Sequence, residues 1–225
     1  MNKIPLVLFQ TNKTYPNEYV INMIKKQLTL NWKYEFFNDT DIINFFIANP
    51  LSEFPDIILK FNSFEKGAHK ADLFRYYYLY INGGVFMDSD AMIYEPIINI
   101  IKDYDFFSVL STIHKNPSIF QGCLGATPNN IIIKKALIHA YNTTNYILKN
   151  NYLCFCDELY NIILNNQAKY KIKLYQEKII NYYGADILND ENQIIFQHYQ
   201  VFKMIPNKMI INKMIPNKRF QMSFI

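Results

Sequence analysis

Glycine is scarce in this sequence, with six residues in 225. None of the six precedes Gly67, so no glycine-rich loop of the kind that cradles phosphates follows the first predicted strand. Nucleotidyltransferases pair carboxylates with a metal ion, and the absence of such a loop leaves this enzyme class only a weak possibility.

Cysteine is also rare and has no recognisable spacing. The three residues, Cys123, Cys154 and Cys156, are odd in number and fit neither a zinc site nor a disulfide framework. We therefore expect buried free thiols in a reducing compartment.

Long apolar runs are absent. The first residues, MNKIPLVLFQTNK, contain an apolar run of about five residues before Gln10, which is too short for a signal peptide or a membrane span. On this basis we expect a soluble, cytoplasmic protein.

Neither sign of charge is in large excess. The formal net charge of +4 arises from 23 basic and 19 acidic residues that are dispersed along the chain. Nucleic-acid binding normally needs a concentrated basic patch, so the sequence argues against a nucleic-acid partner and supports only a modest attraction to anionic ligands.

The end of the chain is basic and contains a short duplication. The hexapeptide KMIPNK occurs at Lys203–Lys208 and again at Lys213–Lys218, which is too few copies for a repeat fold. We interpret 203–225 as a partly ordered basic tail, with weak contact to an anionic membrane surface as the alternative. The composition, 50% hydrophobic and 19% charged, predicts that 1–225 is a single folded domain carrying this tail.

The first part of the chain alternates between strand and helix patterns. Short apolar runs typical of buried strands precede segments with apolar residues at helical spacing. The two strand patterns are Ile4–Gln10 and Lys33–Phe37, and each is followed by a helix pattern, at 17–32 and 41–49. Asp39 or Thr40 is the expected N-cap of the second helix. This order favours an α/β fold with a mostly parallel sheet flanked by helices.

A third helix and a third strand follow. Residues 64–81 read as a helix that Gly83 and Gly84 close, and the strand GVFMD ends at Asp88. The packed side of the helix is expected to carry Leu73, Tyr76, Tyr77 and Tyr80. Later strands are predicted at 105–112, 120–127 and 193–202, and later helices at 129–148 and 153–164. Because ligands of open α/β sheets bind beyond the carboxyl ends of strands, we expect Asp88 and Asp90 at the mouth of a crevice.

Two carboxylates one residue apart on a tight loop are suited to a hard divalent cation that also bridges phosphate oxygens. A calcium loop of the EF-hand type is excluded, because its fifth, sixth and twelfth positions would be Met92, Ile93 and Asn99. The alternative without a metal is that Asp88 and Asp90 only cap a turn.

The helix before this loop adds a charged pair. Asp72 and Arg75 lie three residues apart and so project from one helical face, which the glycine turn directs toward Asp88. One guanidinium, three carboxylates and a cation would then meet in one cleft. The alternative is an ordinary surface ion pair with no chemical role.

The block KADLFRYYYLYINGGVFMDSD closely resembles the signature of glycosyltransferase family 32. This family of DXD-containing enzymes includes initiating α-1,6-mannosyltransferases and capsule and lipopolysaccharide glycosyltransferases, and the glucosyltransferase domains of clostridial toxins share the arrangement. IPLVLFQTNKT and NWKYEFFNDTDIINFF are similar to its first strands, so about the first 95 residues are covered. A weaker similarity runs through FQGCLGATPNNIIIKKAL.

The resemblance implies a GT-A fold with a Rossmann-like sheet, a metal-binding DXD loop at a strand end, and Mn²⁺ or Mg²⁺ as the cofactor. It implies transfer from a UDP-sugar or GDP-mannose, with retention, to a glycan, lipid-linked or protein acceptor. The implied catalytic residues are Asp72, Arg75, Asp88 and Asp90, with Asp88 and Asp90 as the metal ligands. The implied donor-binding residues are Gln10, Thr11, Asp72, Arg75, Gly84, Asp88 and Ser89.

Several positions depart from the family pattern, and Asn12 and Gly122 are two of them. Asn12 stands where the family often has Trp, and Gly122 stands where it usually has Asn. They motivate an alternative of another class, a nucleotide-sugar-binding module on the same scaffold that does not turn over. The intact aspartates and Arg75 favour the enzyme.

Overall fold

The computed structural model describes residues 3–16, 18–29, 31–111, 116–181 and 184–199. The predicted basic tail, 203–225, lies outside these residues. Within them, no helix combines the length and apolar character that crossing a membrane requires.

The described part of the chain contains nine strands and eight helices. The strands are β1 (Val7–Thr11), β2 (Lys33–Phe37), β3 (Gly84–Met87), β4 (Ala91–Ile93), β5 (Phe106–Ser111), β6 (Ser118–Ala126), β7 (Ile172–Asn181), β8 (Gly184–Leu188) and β9 (Ile194–Tyr199). The helices are α1 (Glu18–Gln27), α2 (Asp39–Ala48), α3 (Ile57–Ser63), α4 (Gly67–Asn82), α5 (Ile97–Ile101), α6 (Ile131–Asn142), α7 (Asn145–Asn150) and α8 (Cys154–Leu164).

All nine strands belong to one sheet of order β2-β1-β3-β6-β5-β7-β8-β9-β4. The pairs β1–β2, β1–β3 and β5–β7 are parallel, and the other five described pairs are antiparallel. The prediction of a mostly parallel sheet is therefore wrong, although the mixed α/β class is confirmed. Parallel neighbours need long crossovers, whereas the short connections after β5, β7 and β8 reverse the chain and give antiparallel pairs.

The sheet curls back on itself. β3 and β4 occupy the third and ninth positions of the sheet, yet only Asp88, Ser89 and Asp90 separate them in the chain. Three linking residues span at most about 14 Å, so the far edge of the sheet must bend round to meet β3. This curl places the DXD loop between β3 and the edge strand β4.

Helix α4 is the central helix of the fold. Every residue from Leu73 to Leu79 is buried, whereas Tyr80 is partly exposed. The prediction that only one side of this helix is packed is therefore too narrow. Strands β3 and β6 cover one side of α4, and helices α3 and α6 cover other sides. The buried length of α4 includes Asp72 and Arg75, so this charged pair is not at the surface.

Two predicted helices differ from the structure. Helix α2 is capped by Asn38, which forms a capping box with Asp41, rather than by Asp39 or Thr40. The predicted helix 129–148 is two helices, because the Thr144 side chain caps a new helix, α7. The strands β2 and β3 and the helix α8 are confirmed.

Candidate active site

The glycine turn between α4 and β3 is a structural requirement. Gly83 and Gly84 have φ values of 64° and 104°, a backbone region that residues other than glycine rarely adopt. A Cβ on Gly84 would lie 2.9 Å from the carbonyl oxygen of Val7. Gly84 begins β3, at the opposite end of the strand from Asp88, and it does not line the cleft described below. Its expected donor contact is therefore corrected to a role in turning the chain.

The DXD loop is a tight turn with a fixed backbone. The amide of Asp88 donates to the carbonyl of Gly122 at 2.8 Å, and the carbonyl of Asp88 accepts from the amide of Ala91 at 3.1 Å. The second bond closes a four-residue β-turn in which Asp88 is the first residue and Asp90 the third. This agrees with the prediction that Asp88 and Asp90 lie on a loop at the carboxyl end of a strand.

Side chains of β1 brace this turn from behind. Gln10 Nε2 donates to the carbonyl of Asp88 at 2.9 Å, and Gln10 Oε1 accepts from the Tyr34 hydroxyl at 2.8 Å. Asn12 Nδ2 donates to Ser89 Oγ at 2.9 Å. Gln10 is fully buried with both polar ends bonded within the protein, so its expected donor contact is corrected to support of the loop.

Arg75 joins the helix to the loop. Its Nη2 lies 3.3 Å from Asp72 Oδ1 and 3.8 Å from Asp88 Oδ1, and Nη1 donates to the carbonyl of Gln121. The guanidinium also packs over the ring of Phe86, 4.0 Å from its centroid. The predicted approach of the Asp72 and Arg75 face to the Asp88 loop is confirmed, and the surface ion pair is excluded because the Arg75 side chain is 5% exposed.

Asp72 is held in an unfavourable environment for a charge. Burial raises the pKa of its carboxyl to about 6, although Arg75 and His69 lower it in part and Asp88 raises it further. Perturbed carboxyls next to a cleft are common at functional sites.

A cleft of about 740 Å³ opens beside these groups. Thr11, Arg75, Asp88, Ser89 and Asp90 line it, whereas Asp72 reaches it only through its contact with Arg75. The structure therefore brings the predicted site residues together at one cleft, apart from Gln10 behind the loop and Gly84 at the far end of β3.

The sequence interpretation missed several residues that line the cleft. Lys13, Lys66 and Lys70 supply positive charge, and Tyr152 supplies an exposed aromatic ring. Lys70 is the first residue of the KADLFRYYY block and Lys66 lies four residues before it, so only their closeness in sequence to Asp72 and Arg75 could have indicated them. Tyr152 lies 80 residues beyond Asp72 in the printed sequence, and no local pattern indicates its position.

Asp88 and Asp90 are the candidate ligands for a divalent cation. Within the described residues, no group of three or more His, Cys, Asp or Glu side chains could hold a metal. Mg²⁺ and Mn²⁺ at nucleotide sites commonly take one or two carboxylates and complete their shell with phosphate oxygens and water. Asp88 and Asp90 on a cleft wall fit this mode of binding, in which the donor supplies the remaining ligands.

Gly122 leaves the space that the Asp88 carboxylate occupies. A Cβ at this position would lie 2.6 Å from Asp88 Oδ2 and would also collide with the Phe120 ring. We expect Gly122→Ala to displace the carboxylate and to lower activity per folded molecule at least about tenfold. Steady-state kinetics with the donor checks this.

Gly125→Ala is the matched control, because Gly125 lies on the same strand, β6, and the three atoms nearest to its Cβ would all belong to the core ring of Phe107. Both variants should lose about 1–3 kcal/mol of stability through overpacking. Equal activity losses in the two variants would contradict a specific effect on Asp88.

Replacing Asp72 tests the cost of its buried charge. The pKa in the folded protein, about 6, exceeds the ordinary value of 3.8, so stability from this group is fully present below about pH 4 and is lost as the pH rises through 6. The difference amounts to about 3 kcal/mol at pH 8. We expect Asp72→Asn to gain about that much stability relative to the native protein between pH 4 and pH 8.

Urea unfolding of both proteins across this range measures the difference. A stability difference that is constant with pH, or that moves in favour of the native protein as the pH rises, would show that the pKa of Asp72 is not raised.

Comparisons with known proteins agree with this geometry. Residues 11–107 match the family described as a glycosyltransferase sugar-binding region containing a DXD motif. An uncharacterized glycosyltransferase of Acanthamoeba polyphaga mimivirus is 24% identical over 198 residues, which span 85% of this chain and 76% of that protein. The solved structure of the PaToxG glycosyltransferase is similar in fold, with a TM-score of 0.52 and 15% identity over 75% of this chain and 71% of that one. These comparisons indicate a glycosyltransferase, with the DXD-containing sugar-binding region at residues 11–107.

Proposed function

We propose that the protein transfers a sugar from a nucleotide-sugar donor, a UDP-sugar or GDP-mannose, to an acceptor hydroxyl, with a divalent cation and with retention at the anomeric carbon. The observation that carries this proposal is the placement of Arg75, which contacts Asp72 on the helix and Asp88 on the DXD loop at the wall of one cleft. The curled mixed sheet supports a fold of the GT-A type.

Asp88 and Asp90 would hold Mn²⁺ or Mg²⁺ against the donor diphosphate. When bound, the cation supplies positive charge that stabilises a diphosphate leaving group. The bonds from Gln10 and Asn12 to the loop, and from its backbone to Gly122, keep the two carboxylates in place without reorganisation.

Arg75 and Asp72 would act on the donor sugar and its phosphate. The guanidinium carries a permanent charge beside the position where negative charge develops on the leaving oxygen. Asp72 holds the guanidinium from one side, so its expected action on the donor sugar would pass through Arg75. Lys66 and Lys70 on the cleft wall add to the attraction for the anionic donor.

The proposed chemical step exchanges one bond at the anomeric carbon for another. The bond from that carbon to the phosphate oxygen breaks, and its electron pair leaves with the nucleoside diphosphate. The acceptor hydroxyl oxygen forms the new glycosidic bond from the same face, and its proton passes to the departing phosphate oxygen. An inverted product anomer in an NMR spectrum would rule out this course.

A donor screen tests the proposal. The purified protein is incubated with Mn²⁺ and a panel of UDP-sugars and GDP-mannose, and nucleotide release is measured beside the Asp88→Asn/Asp90→Asn variant. We expect release from one donor by the native protein and none by the variant. Donor binding that shifts the melting temperature without any release would favour the alternative, a binding module without turnover.

A further inference from the structure

One aromatic side chain stands out on the wall of the cleft. Tyr152 lies in the short loop between α7 and α8 and is 54% exposed. The other aromatic rings that line the cleft are less available, since Phe64 is buried and Phe37 is partly buried. Tyr152 therefore offers a flat apolar surface within a polar cleft.

The ring of Tyr152 rests on a buried support. The His69 ring lies beside it, 4.9 Å between centroids and tilted by 47°, and His69 Nε2 lies 3.1 Å from the Tyr152 carbonyl oxygen. His69 is itself 3% exposed and packs against the rings of Phe64 and Phe155. One side of the tyrosine is thus in contact with a buried ring of the protein.

The loop that carries Tyr152 is also fixed. The side chain of Asn151 accepts from the amide of Leu153 at 3.0 Å and donates to Asp157 at 3.0 Å. The backbone amide of Asn151 donates to the carbonyl of Ile147 at 2.8 Å. A ring held in place before its ligand arrives loses little conformational entropy on binding.

The position of Tyr152 places it near the charged pair of the site. His69 precedes Asp72 by three residues on α4, so the two side chains project from one face of the helix. The pKa of Tyr152 is raised by burial and by the charges of Asp72 and Asp88, and Arg75 lowers it in part. Tyr152 lines the same cleft as Arg75, Asp88 and Asp90, so its ring borders the space in which the proposed reaction occurs.

We propose that Tyr152 is the platform of the acceptor subsite and that the acceptor presents a pyranose ring to it. The inference rests on the proposed function. A pyranose has a face of C–H groups that packs on an aromatic ring, and its edge of hydroxyls requires polar partners such as those that surround Tyr152. A nucleobase also stacks on aromatic rings, but Thr11 and Asn12 offer the nucleotide a position at the end of β1.

The experiment separates transfer to a sugar from transfer to water. With the donor identified by the screen, methyl pyranosides of glucose, galactose and mannose are supplied as acceptors, and both glycoside product and donor hydrolysis are quantified. We expect Tyr152→Ala to raise the KM for the glycoside and to lower the ratio of transfer to hydrolysis by about 10- to 100-fold, the value of one stacking contact. Tyr152→Phe, which keeps the ring, should stay within about threefold of the native protein.

Tyr146→Ala is the matched control, because Tyr146 is 77% exposed on α7 and does not line the cleft. An equal loss in Tyr152→Phe and Tyr152→Ala would overturn the platform, since the hydroxyl would then be responsible. A rise in the KM for the donor alone would assign the ring to the nucleotide.

The reaction of the wild-type protein distinguishes failure of the pyranose acceptor from failure of the proposed transferase function. Donor hydrolysis without any methyl glycoside product would overturn the pyranose acceptor and leave the proposed transferase chemistry supported. Failure to cleave any donor would overturn both.

Discussion

Replacing Asp90 with Asn is expected to lower metal-dependent nucleotide release by about 1000-fold or more, while the fold is retained. The carboxylate lies on the cleft wall, on a turn whose backbone is fixed by bonds from Ala91 and Gln10 to the Asp88 carbonyl. Loss of an ionised ligand weakens both cation binding and the charge stabilisation that the cation brings, which is worth several kcal/mol, and each 1.4 kcal/mol is a factor of about ten. Release kinetics over a Mn²⁺ titration measure the effect.

Asp103→Asn is the matched control for this variant. Asp103 pairs with Lys171 on the surface, its side chain is 58% exposed, and it does not line the cleft. The control should keep native activity. Native activity in Asp90→Asn at saturating Mn²⁺, with unchanged Mn²⁺ affinity, would show that Asp90 is not a metal ligand.

Replacing Arg75 with Met is expected to have the largest effect on stability, a loss of about 3–5 kcal/mol near pH 8. The substitution leaves the buried Asp72 carboxylate without its cationic partner, and it leaves the Gln121 carbonyl without a donor. Activity should be lost as well, because the guanidinium faces Asp88 at the cleft. Urea unfolding and donor-release kinetics measure the two effects.

A double substitution identifies the cause of the lost stability. Arg75→Met/Asp72→Asn removes both charges, so it should recover much of the stability while remaining inactive. If the double variant is no more stable than Arg75→Met, the uncompensated carboxylate is not the cause. Arg75→Lys keeps the charge but lacks the planar fork, and we expect it to be folded and poorly active.

Local spacing was sufficient to predict much of the candidate site. Asp72 and Arg75 share a helical face because residues three apart project in the same direction, whatever the rest of the fold. The end of β3 could also be predicted, since an apolar run ends directly before Asp88. Their meeting across the glycine turn followed from the short connection between α4 and β3.

Gln10 and Gly84 show a limit of the family resemblance, which implied that both contact the donor. Both are close to the site in sequence or by family resemblance, yet Gln10 is buried behind the loop and Gly84 lies against Val7. The orientation of a strand side chain depends on which face of the sheet meets the cleft, and that was decided by pairing with β2 and β3. The same limit explains the missed Tyr152, which reaches the cleft through its contact with His69.

The sequence by itself determined the α/β class, most strands and helices of the first half, and the set of charged residues that carries the proposed chemistry. Each of these follows from backbone geometry over a few residues. Only the tertiary structure decided the curl of the sheet through β4 and β9, the raised pKa of Asp72 and the place of Tyr152. These depend on contacts between residues far apart in the chain, and burial and pairing over such distances are set by the packing of the whole fold.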